Sequence, residues 1–288
     1  MVRNMIMYEM KEFCVGGTTI ISIEGERQVM KIGVGVFWEK FIKDQEFYMK
    51  TYDCLEIQDF VMPDNLDLGR EHIIKQYQQQ LQGYKGILTV HGPYIDLQPT
   101  SFDPLIRQAS SARYHQCLEA AAALKCKYMI IHSSYDPMKT YDDGYDEYFI
   151  DQNTNFWKEN IGAFEAYNVT VVLENIHDKG HQLIRKVLEK VNSPFLGACL
   201  DTGHAHALVK TDLLPWLEGY EHWLKYIHLH DNFGERDQHL SVGEGSINFA
   251  GFFKKLKEMN YDSILMNEIF GGVEAQKRNL ENLYAFLK

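Results

Sequence analysis

The feature that most constrains this chain is a series of eight short apolar segments separated by longer amphipathic stretches. The short segments are typical of buried β-strands, whereas the longer stretches repeat their apolar residues near the period of an α-helix. The predicted strands span residues 31–36, 54–58, 86–90, 128–131, 170–173, 196–200, 226–229 and 263–267. The clearest predicted helices span residues 67–82, 103–124, 146–167, 181–191, 248–259 and 273–286.

Alternating strands and helices predict a parallel sheet whose strands are joined by right-handed crossovers. An open, doubly wound sheet also fits the alternation, but eight units within about 260 residues match a closed (β/α)8 TIM barrel better. Gly33 and Gly35 lie inside the first predicted strand, and no third glycine follows at the spacing of a dinucleotide-binding loop. We therefore predict the α/β class and a single TIM-barrel domain over residues 30–288.

Residues 1–29 fall outside this pattern and form a predicted N-terminal extension. Within the extension, residues 13–23 are expected to form a strand or a hairpin beside the barrel. The segment Met30-Lys-Ile-Gly-Val is also a natural beginning for the barrel. The sequence therefore leaves open whether residues 1–29 belong to the native protein.

Charge and cysteine content narrow the classes of function. The chain has 29 Lys and Arg against 40 Asp and Glu, a net charge of −11, which argues against general binding to nucleic acid or to an anionic membrane. No run of about 18 apolar residues is present, so no membrane-spanning helix is expected. The five cysteines are at least nine residues apart, which suggests neither a disulfide framework nor a cysteine zinc site and favours a reducing, cytoplasmic location.

Polar residues end six successive predicted strands, where a barrel of this type places its catalytic groups. These residues are His91, His132, Glu174, Asp201, His228 and Glu268. Unpaired buried carboxylates are costly, and a divalent cation would supply the missing positive charge. Carboxylate oxygen and neutral imidazole suit Zn²⁺ or Mn²⁺, with Co²⁺ and Fe²⁺ as alternatives.

Three further candidate ligands lie in predicted loops. His204 follows a strand-end aspartate by three residues. Asp237 and His239 are two residues apart, which places both side chains on one face of an extended stretch. The three residues could hold a second metal ion or orient substrate through hydrogen bonds. His206 and His230 flank better candidates, so we assign supporting or structural roles to them.

Three motifs carry a resemblance to a known family. They are His91-Gly-Pro-Tyr-Ile-Asp-Leu, Leu-Asp201-Thr-Gly-His204, and His228-Leu-His-Asp with the downstream run Asp237-Gln-His239-Leu-Ser-Val-Gly243-Glu-Gly245. Together they resemble the xylose isomerase-like TIM-barrel superfamily, which unites sugar isomerases and epimerases with endonuclease IV. The resemblance extends over residues 30–288.

The resemblance implies a set of metal ligands. A central metal ion would be held by Glu174, Asp201, His228 and Glu268. In the endonuclease branch, two further zinc ions are held by the residues that match His91, His132, His204, Asp237 and His239. All nine positions are filled in this chain, which implies one to three ions.

Two departures from the family pattern bear on the reaction. Ketose 3-epimerases carry an additional Glu after the ligand of the fifth strand, at the place where this chain has Gly180. DNA-cleaving relatives need positive and intercalating groups on their loops, but this chain has eight Arg, of which only Arg236 lies near the predicted mouth. Lys40, Lys43 and Lys139 are further candidate cations. The sparse positive charge favours a small polyol over a phosphodiester duplex.

We predict a metal-dependent isomerase or epimerase that acts on a sugar, a sugar phosphate or a cyclic polyol through a metal-stabilised enediolate. Glu174 and Glu268 would remove and return the proton from opposite strands of the mouth, provided that metal ligation leaves an oxygen free. Substrate would also be bound by His204 through a hydroxyl, by stacking on Trp38 and Tyr94, and by Arg236. Plain packing explains the two aromatic residues equally well.

Two alternatives stay open. One is an endonuclease IV-like zinc phosphodiesterase acting at abasic sites in DNA, where a metal-bound hydroxide attacks phosphorus. The other is a catalytically silent barrel that binds sugar or metal, which is least favoured because nine ligands converge. The expected partner is a small sugar or polyol rather than nucleic acid or a membrane, and the sequence leaves open a homo-oligomer.

Overall fold

Eight parallel strands close into a barrel in the computed structural model, which describes residues 30–139 and 143–288 in full and residues 9–15 and 18–24 as backbone. The barrel strands are β3 (Lys31–Val36), β4 (Cys54–Ile57), β5 (Ile87–His91), β6 (Tyr128–His132), β7 (Thr170–Glu174), β8 (Leu196–Asp201), β9 (Leu224–Leu229) and β10 (Ile264–Asn267). Each strand pairs with the next in the chain, and β10 closes onto β3. The predicted TIM barrel is confirmed.

All eight predicted strands are present, and their bounds differ from the prediction by at most two residues. The largest difference is at β9, which begins at Leu224 rather than at Tyr226. Strands β5, β6, β7 and β8 each include the polar residue that follows the apolar run. The candidate ligands on these four strands are therefore fixed by the hydrogen bonds of the sheet.

Helices alternate with the strands, and the longer ones cover the outside of the barrel. The helices are α1 (Trp38–Lys43), α2 (Gln45–Thr51), α3 (Pro63–Asp67), α4 (Arg70–Gln80), α5 (Pro104–Ala123), α6 (Tyr145–Tyr167), α7 (Gln182–Val191), α8 (Thr202–His204), α9 (Leu214–Tyr220), α10 (Phe249–Glu258) and α11 (Val273–Leu287). The helix predicted over residues 67–82 corresponds to α4, which begins at Arg70 after Gly69, a poor helix former, and α3 is a separate short helix before it. The cap predicted at Asp103 is present, and its side chain accepts a hydrogen bond from the Leu105 amide at 2.8 Å.

The barrel interior is packed by a small cluster of apolar side chains beneath the mouth. Its buried members are Cys54, Tyr128, Ile130, Val172, Cys199, Tyr226, Ile264 and Met266. Gly33 belongs to this packing, because a Cβ added there would lie 2.5 Å from Cε of Met266. Close packing between strands explains this glycine without a nucleotide-binding role.

The N-terminal segment contains a two-stranded hairpin. Strands β1 (Glu9–Val15) and β2 (Thr18–Glu24) pair antiparallel, which matches the strand or hairpin expected over residues 13–23. Its placement beside the barrel and the domain boundary at residue 30 stay predictions. Four cysteines are buried free thiols, whereas the side chain of Cys14 lies outside the described residues. Among the described helices, none is long and apolar enough to cross a membrane.

Candidate metal centre

Four of the predicted ligands meet at the C-terminal mouth of the barrel. Glu174, Asp201, His228 and Glu268 each offer one ligand atom, and these atoms all lie within 4.8 Å of one another. The parallel register brings them together, because Asp201 of β8 is directly paired with His228 of β9. Glu268 follows β10 by one residue. We call these four residues the strand cluster.

The strand cluster is almost completely shielded from solvent. Glu174, Asp201 and His228 are at most 1% exposed. The Nδ1 atom of His228 lies 3.3 Å from Oε1 of Glu174 and 3.2 Å from Oε2 of Glu268. Glu174 and Glu268 belong to strands three places apart in the barrel, rather than to opposite strands as expected.

His91 and His132 extend the strand cluster along one side. Their Nε2 atoms lie 3.5 Å and 3.6 Å from Oε2 of Glu174. His91 donates its Nδ1 hydrogen to the carbonyl of Gly92 at 2.9 Å, so the lone pair of its Nε2 atom is directed at Glu174. His91, Glu174 and His228 form a second set of three atoms that lie within 4.8 Å of one another. Glu174 is thus shared between two potential positions for an ion.

The predicted loop ligands also come together. Oδ2 of Asp237 lies 3.4 Å from Nε2 of His204 and 2.9 Å from Nε2 of His239. The Nδ1 atoms of the two imidazoles are both paired with carbonyls, His204 with Asn175 at 3.0 Å and His239 with Glu268. A neutral imidazole with Nδ1 protonated has a lone pair on Nε2. In the neutral form of both rings two lone pairs face one carboxylate, an arrangement that requires either a proton or a metal cation between them. We call His204, Asp237 and His239 the loop cluster.

His230, for which a supporting or structural role is predicted, joins the two clusters. Its Nε2 atom is 3.1 Å from the carboxylate of Asp201, and its Nδ1 atom is 3.4 Å from Oδ1 of Asp237. Its ring stacks on that of His239 with centroids 3.9 Å apart. Gly203 makes room for it, because a Cβ there would lie 1.8 Å from Cε1 of His230. The spacing of His228 and His230, two residues apart, was the signal in the sequence that both face the mouth.

Asp231 holds the loop that carries Asp237 and His239. Its buried carboxylate accepts hydrogen bonds from four backbone amides, those of Asn232, Gly243, Gly245 and Ile247. Gly243 has a φ of +82°, which favours glycine. The glycines of the Gly243-Glu-Gly245 run thus let the loop fold back onto Asp231.

Comparison with known proteins places the chain in a family. The model of the xylose isomerase-like TIM barrel matches residues 51–288. The chain belongs to the xylose isomerase-like TIM-barrel family. Among its relatives is an uncharacterised protein of Methanocaldococcus jannaschii, 28% identical over 202 residues that cover 68% of each chain. A probable endonuclease 4 of Mycoplasmopsis pulmonis is 26% identical over 216 residues, which cover 67% of this chain and 73% of the relative.

Solved structures share the fold of this family member. A D-tagatose 3-epimerase-like protein superposes with a TM-score of 0.74 at 24% identity, covering 90% of this chain and 97% of the other. A Thermus thermophilus protein soaked with zinc chloride superposes with a TM-score of 0.73 at 23% identity, covering 89% and 98%.

The centre of this xylose isomerase-like barrel fits a divalent cation. Several buried ligand atoms have no hydrogen-bond partner within the described chain, namely both carboxylate oxygens of Glu174, Nδ1 of His228, Nδ1 of His230 and Oδ1 of Asp237. No ion pair between described residues joins a lysine or arginine to a carboxylate of the two clusters. Orphaned buried atoms of this kind are costly unless an ion binds them. Their oxygen and imidazole nitrogen donors suit Zn²⁺, Mn²⁺, Co²⁺ or Fe²⁺.

The pKa shifts show the same excess of negative charge. Burial alone would lower the pKa of His91, but Glu174, Glu56 and Glu268 outweigh burial and raise it to about 9. Burial likewise opposes the rise at His239, where Asp237 and Glu268 raise the pKa to about 9. Burial instead lowers the pKa of His132 to about 3. A site that draws protons onto His91 and His239 at neutral pH nevertheless has a deficit of positive charge around these two residues.

The residues predicted to contact substrate have different surroundings. Tyr94 is 43% exposed and stacks on His132 with ring centroids 4.4 Å apart, so it lies beside the strand cluster. Trp38 packs against Tyr77 with centroids 5.1 Å apart, so packing accounts for its position. Arg236 is exposed on the loop that carries Asp237. Substrate contacts for these residues stay predictions.

Glu56 is a buried part of the centre that was not among the predicted ligands. It is fully buried on β4, and its Oε2 atom lies 3.1 Å from Nε2 of His228. The signal in the sequence was a charged residue inside the apolar run Cys54-Leu-Glu-Ile. A charge in such a run requires a polar partner within the barrel.

Proposed function

We propose that this chain is a metal-dependent isomerase or epimerase of a sugar, sugar phosphate or cyclic polyol. The observation that carries the proposal is the position of Glu174 and Glu268, whose carboxylates lie within 4.8 Å of each other in one shielded cluster of metal ligands. Two carboxylates at one centre can exchange a proton with a carbon next to a carbonyl group.

The strand cluster would hold the ion of this reaction. When bound there, a divalent ion would polarise the carbonyl of the substrate and stabilise the negative charge that develops on its oxygens. The fit rests on the buried atoms of Glu174 and His228 that lack hydrogen-bond partners in the described chain.

Glu174 and Glu268 would move the proton. Both oxygens of Glu174 are without a hydrogen-bond partner in the described residues, so one can bind the ion while the other takes a proton from the substrate carbon. Glu268 accepts a hydrogen bond from Gln58 on Oε1 at 2.8 Å and presents Oε2 to the cluster. In the proposed reaction Glu268 would return the proton to the carbon.

The charge around the mouth favours a neutral substrate. Lys139 lies 3.4 Å from Asp136, and Lys179 lies 3.0 Å from Asp146, so these cations are already paired with carboxylates. Because they are neutralised in this way, these two cations would attract a phosphate ester only weakly, which favours a sugar or polyol as the substrate.

The known proteins support the class of reaction without identifying the substrate. Structural relatives include the D-tagatose 3-epimerase-like protein and a D-psicose 3-epimerase, the latter 16% identical with a TM-score of 0.72. Gly180 stands where ketose 3-epimerases carry an additional Glu, so this substrate class does not transfer directly. With glycine at this position, the loop lacks the carboxylate that could act there as an acid or a base.

Endonuclease IV-like hydrolysis of DNA is the second candidate. The observation that favours it is the complete ligand set, because His91 and His132 lie against Glu174 and the loop cluster adds a further position. A probable endonuclease 4 is also among the relatives. In that reaction His91, His132 and Glu174 would hold an ion beside the strand cluster.

Metal analysis followed by parallel assays separates the two functions. The protein purified without chelators is analysed for bound metals and assayed with a panel of ketoses, aldoses, sugar phosphates and inositols. A nicking assay uses a duplex with one abasic site. Exchange of the substrate's carbon-bound hydrogen with solvent deuterium is the expected result. Nicking without any exchange would replace the leading proposal by the second.

A further inference from the structure

We infer that Glu56 and Gln58 are positioning residues that fix His228 and Glu268 for the ion. The inference rests on the metal centre of the proposed function and deepens it. Neither residue is expected to touch the substrate. Their action would be to set which atom of each ligand faces the ion.

Both carboxylate oxygens of Glu56 accept hydrogen bonds, whereas neither oxygen of Glu174 has a partner in the described chain. The Oε2 atom of Glu56 accepts from Nε2 of His228 at 3.1 Å and from the hydroxyl of Tyr226 at 2.9 Å. Its Oε1 atom accepts from the side-chain amide of Gln58 at 3.1 Å. Glu56 contacts Nε2 of His228, whereas Glu174 and Glu268 contact Nδ1 of the same ring, so Glu56 lies behind the ligand rather than beside the ion.

The bond from His228 to Glu56 fixes the tautomer of the imidazole. With Nε2 protonated and donating to Glu56, the lone pair is on Nδ1. That Nδ1 atom is buried, has no hydrogen-bond partner in the described chain, and faces Oε1 of Glu174 at 3.3 Å. A carboxylate behind a metal-binding histidine also increases its basicity as a ligand.

Gln58 fixes the orientation of the Glu268 carboxylate. Its amide nitrogen donates to both Glu56 and Oε1 of Glu268, the second at 2.8 Å. Oε1 is thereby held, and Oε2 of Glu268 remains 3.2 Å from Nδ1 of His228. One amide thus contacts the ligand Glu268 directly and the ligand His228 through Glu56.

Gly35 on β3 leaves the space that Gln58 needs. A Cβ at this position would lie 2.5 Å from Nε2 and 2.9 Å from Cδ of Gln58. The amide is the end of a flexible side chain and could move aside, but only by losing its bonds to Glu56 and Glu268. Gly35→Ala therefore disturbs the pair without removing any carboxylate.

Metal affinity tests the inference directly. The metal-free protein is titrated with Zn²⁺ against a competing chelator, and the visible spectrum of its Co²⁺ form is recorded. Glu56→Gln should weaken the tightest ion by about 10–100-fold and change the Co²⁺ spectrum. Gly35→Ala should act in the same direction. Asp53→Asn is the matched control, since Asp53 contacts the amide of Ile32 at the opposite end of the barrel.

The outcomes distinguish this inference from the proposed function. If the wild-type protein binds no ion tightly, the metal centre and the proposed function both fail. If the wild type binds Zn²⁺ but Glu56→Gln and Gly35→Ala match it in affinity and Co²⁺ spectrum, only the positioning role is overturned. Should Glu56→Gln not fold, as judged by circular dichroism, Gly35→Ala and Gln58→Met decide the question by the same two readouts.

Discussion

The two ligand clusters differ in how the chain holds them. In the strand cluster, Asp201 and His228 are fixed by direct pairing of β8 with β9 and are fully buried. In the loop cluster, the side chains of Asp237 and His239 are 26% and 18% exposed, and they are held by a loop folded onto Asp231.

We predict from this difference that ions bound at the two clusters would differ in affinity. Sheet hydrogen bonds keep the strand ligands in place whether or not an ion is bound, whereas loop ligands lose conformational entropy when they are ordered. We therefore expect the strand cluster to bind its ion tightly and the loop cluster to exchange its ion more readily. The following experiments test that contrast.

The largest effect is expected from Glu174→Gln. This change removes a ligand charge and the proton acceptor together, so turnover should fall by at least about 10²–10⁴-fold, the range for loss of a general base. Glu268→Gln should also abolish turnover. Both proteins should fold, because the mouth lies outside the packed barrel interior. Steady-state rates and thermal unfolding of metal-loaded proteins provide the measurements.

Glu71→Gln is the matched control for this prediction, because Glu71 is an exposed glutamate on α4. It should retain wild-type turnover. Full turnover in a metal-loaded Glu174→Gln protein would exclude Glu174 as the essential acid or base.

A change in metal stoichiometry is expected from the double variant Asp237→Asn/His239→Gln. It removes two of three donors of the loop cluster, so the protein should bind one ion fewer than the wild type. The tight ion of the strand cluster should remain. Isothermal titration of metal-free protein with Zn²⁺ measures both. Equal ion counts in the two proteins would assign Asp237 and His239 to substrate recognition and would weaken the endonuclease alternative.

Asp231→Asn should weaken the loop cluster without altering its ligands. Four backbone amides donate to this carboxylate, and asparagine keeps only one acceptor oxygen. We expect a loss of about 1–3 kcal/mol in the free energy of unfolding and faster release of the exchangeable ion. Urea unfolding and chelator-induced release measure these effects. A similar release rate for both ions would contradict the contrast between the clusters.

The same contrast explains how much the sequence could predict. Ligands at strand ends follow apolar runs of regular length, so Glu174 and Asp201 were identified from the pattern of the chain. The loop pair Asp237 and His239 was identified from spacing and family resemblance, and the structure brings it to His204.

The roles of residues that contact side chains from other strands could not be predicted from these patterns. Glu56 lies in an apolar run, and its partner His228 is 172 positions away in the sequence. The sequence places His230 next to a better ligand, whereas its contacts with Asp201 and Asp237 depend on the close approach of Gly203 in α8. Tertiary pairing, which a single sequence does not contain, decides both cases.

The smallest effect is expected from deleting residues 1–29. The barrel's own hydrogen bonds begin at Lys31, whose amide donates to the carbonyl of Ser263 at 2.9 Å and starts the closure of β3 onto β10. Every ligand of both clusters lies beyond that point. The truncated protein should therefore keep its ion count, its turnover and its cooperative unfolding. Deletion of residues 1–36 is the matched control, because it also removes β3 and should abolish folding.

Aggregation of the shorter deletion would instead show that the extension covers apolar surface. The cleft of about 690 Å³ beside Lys31, Tyr52 and Tyr84 would be the first place to seek that contact.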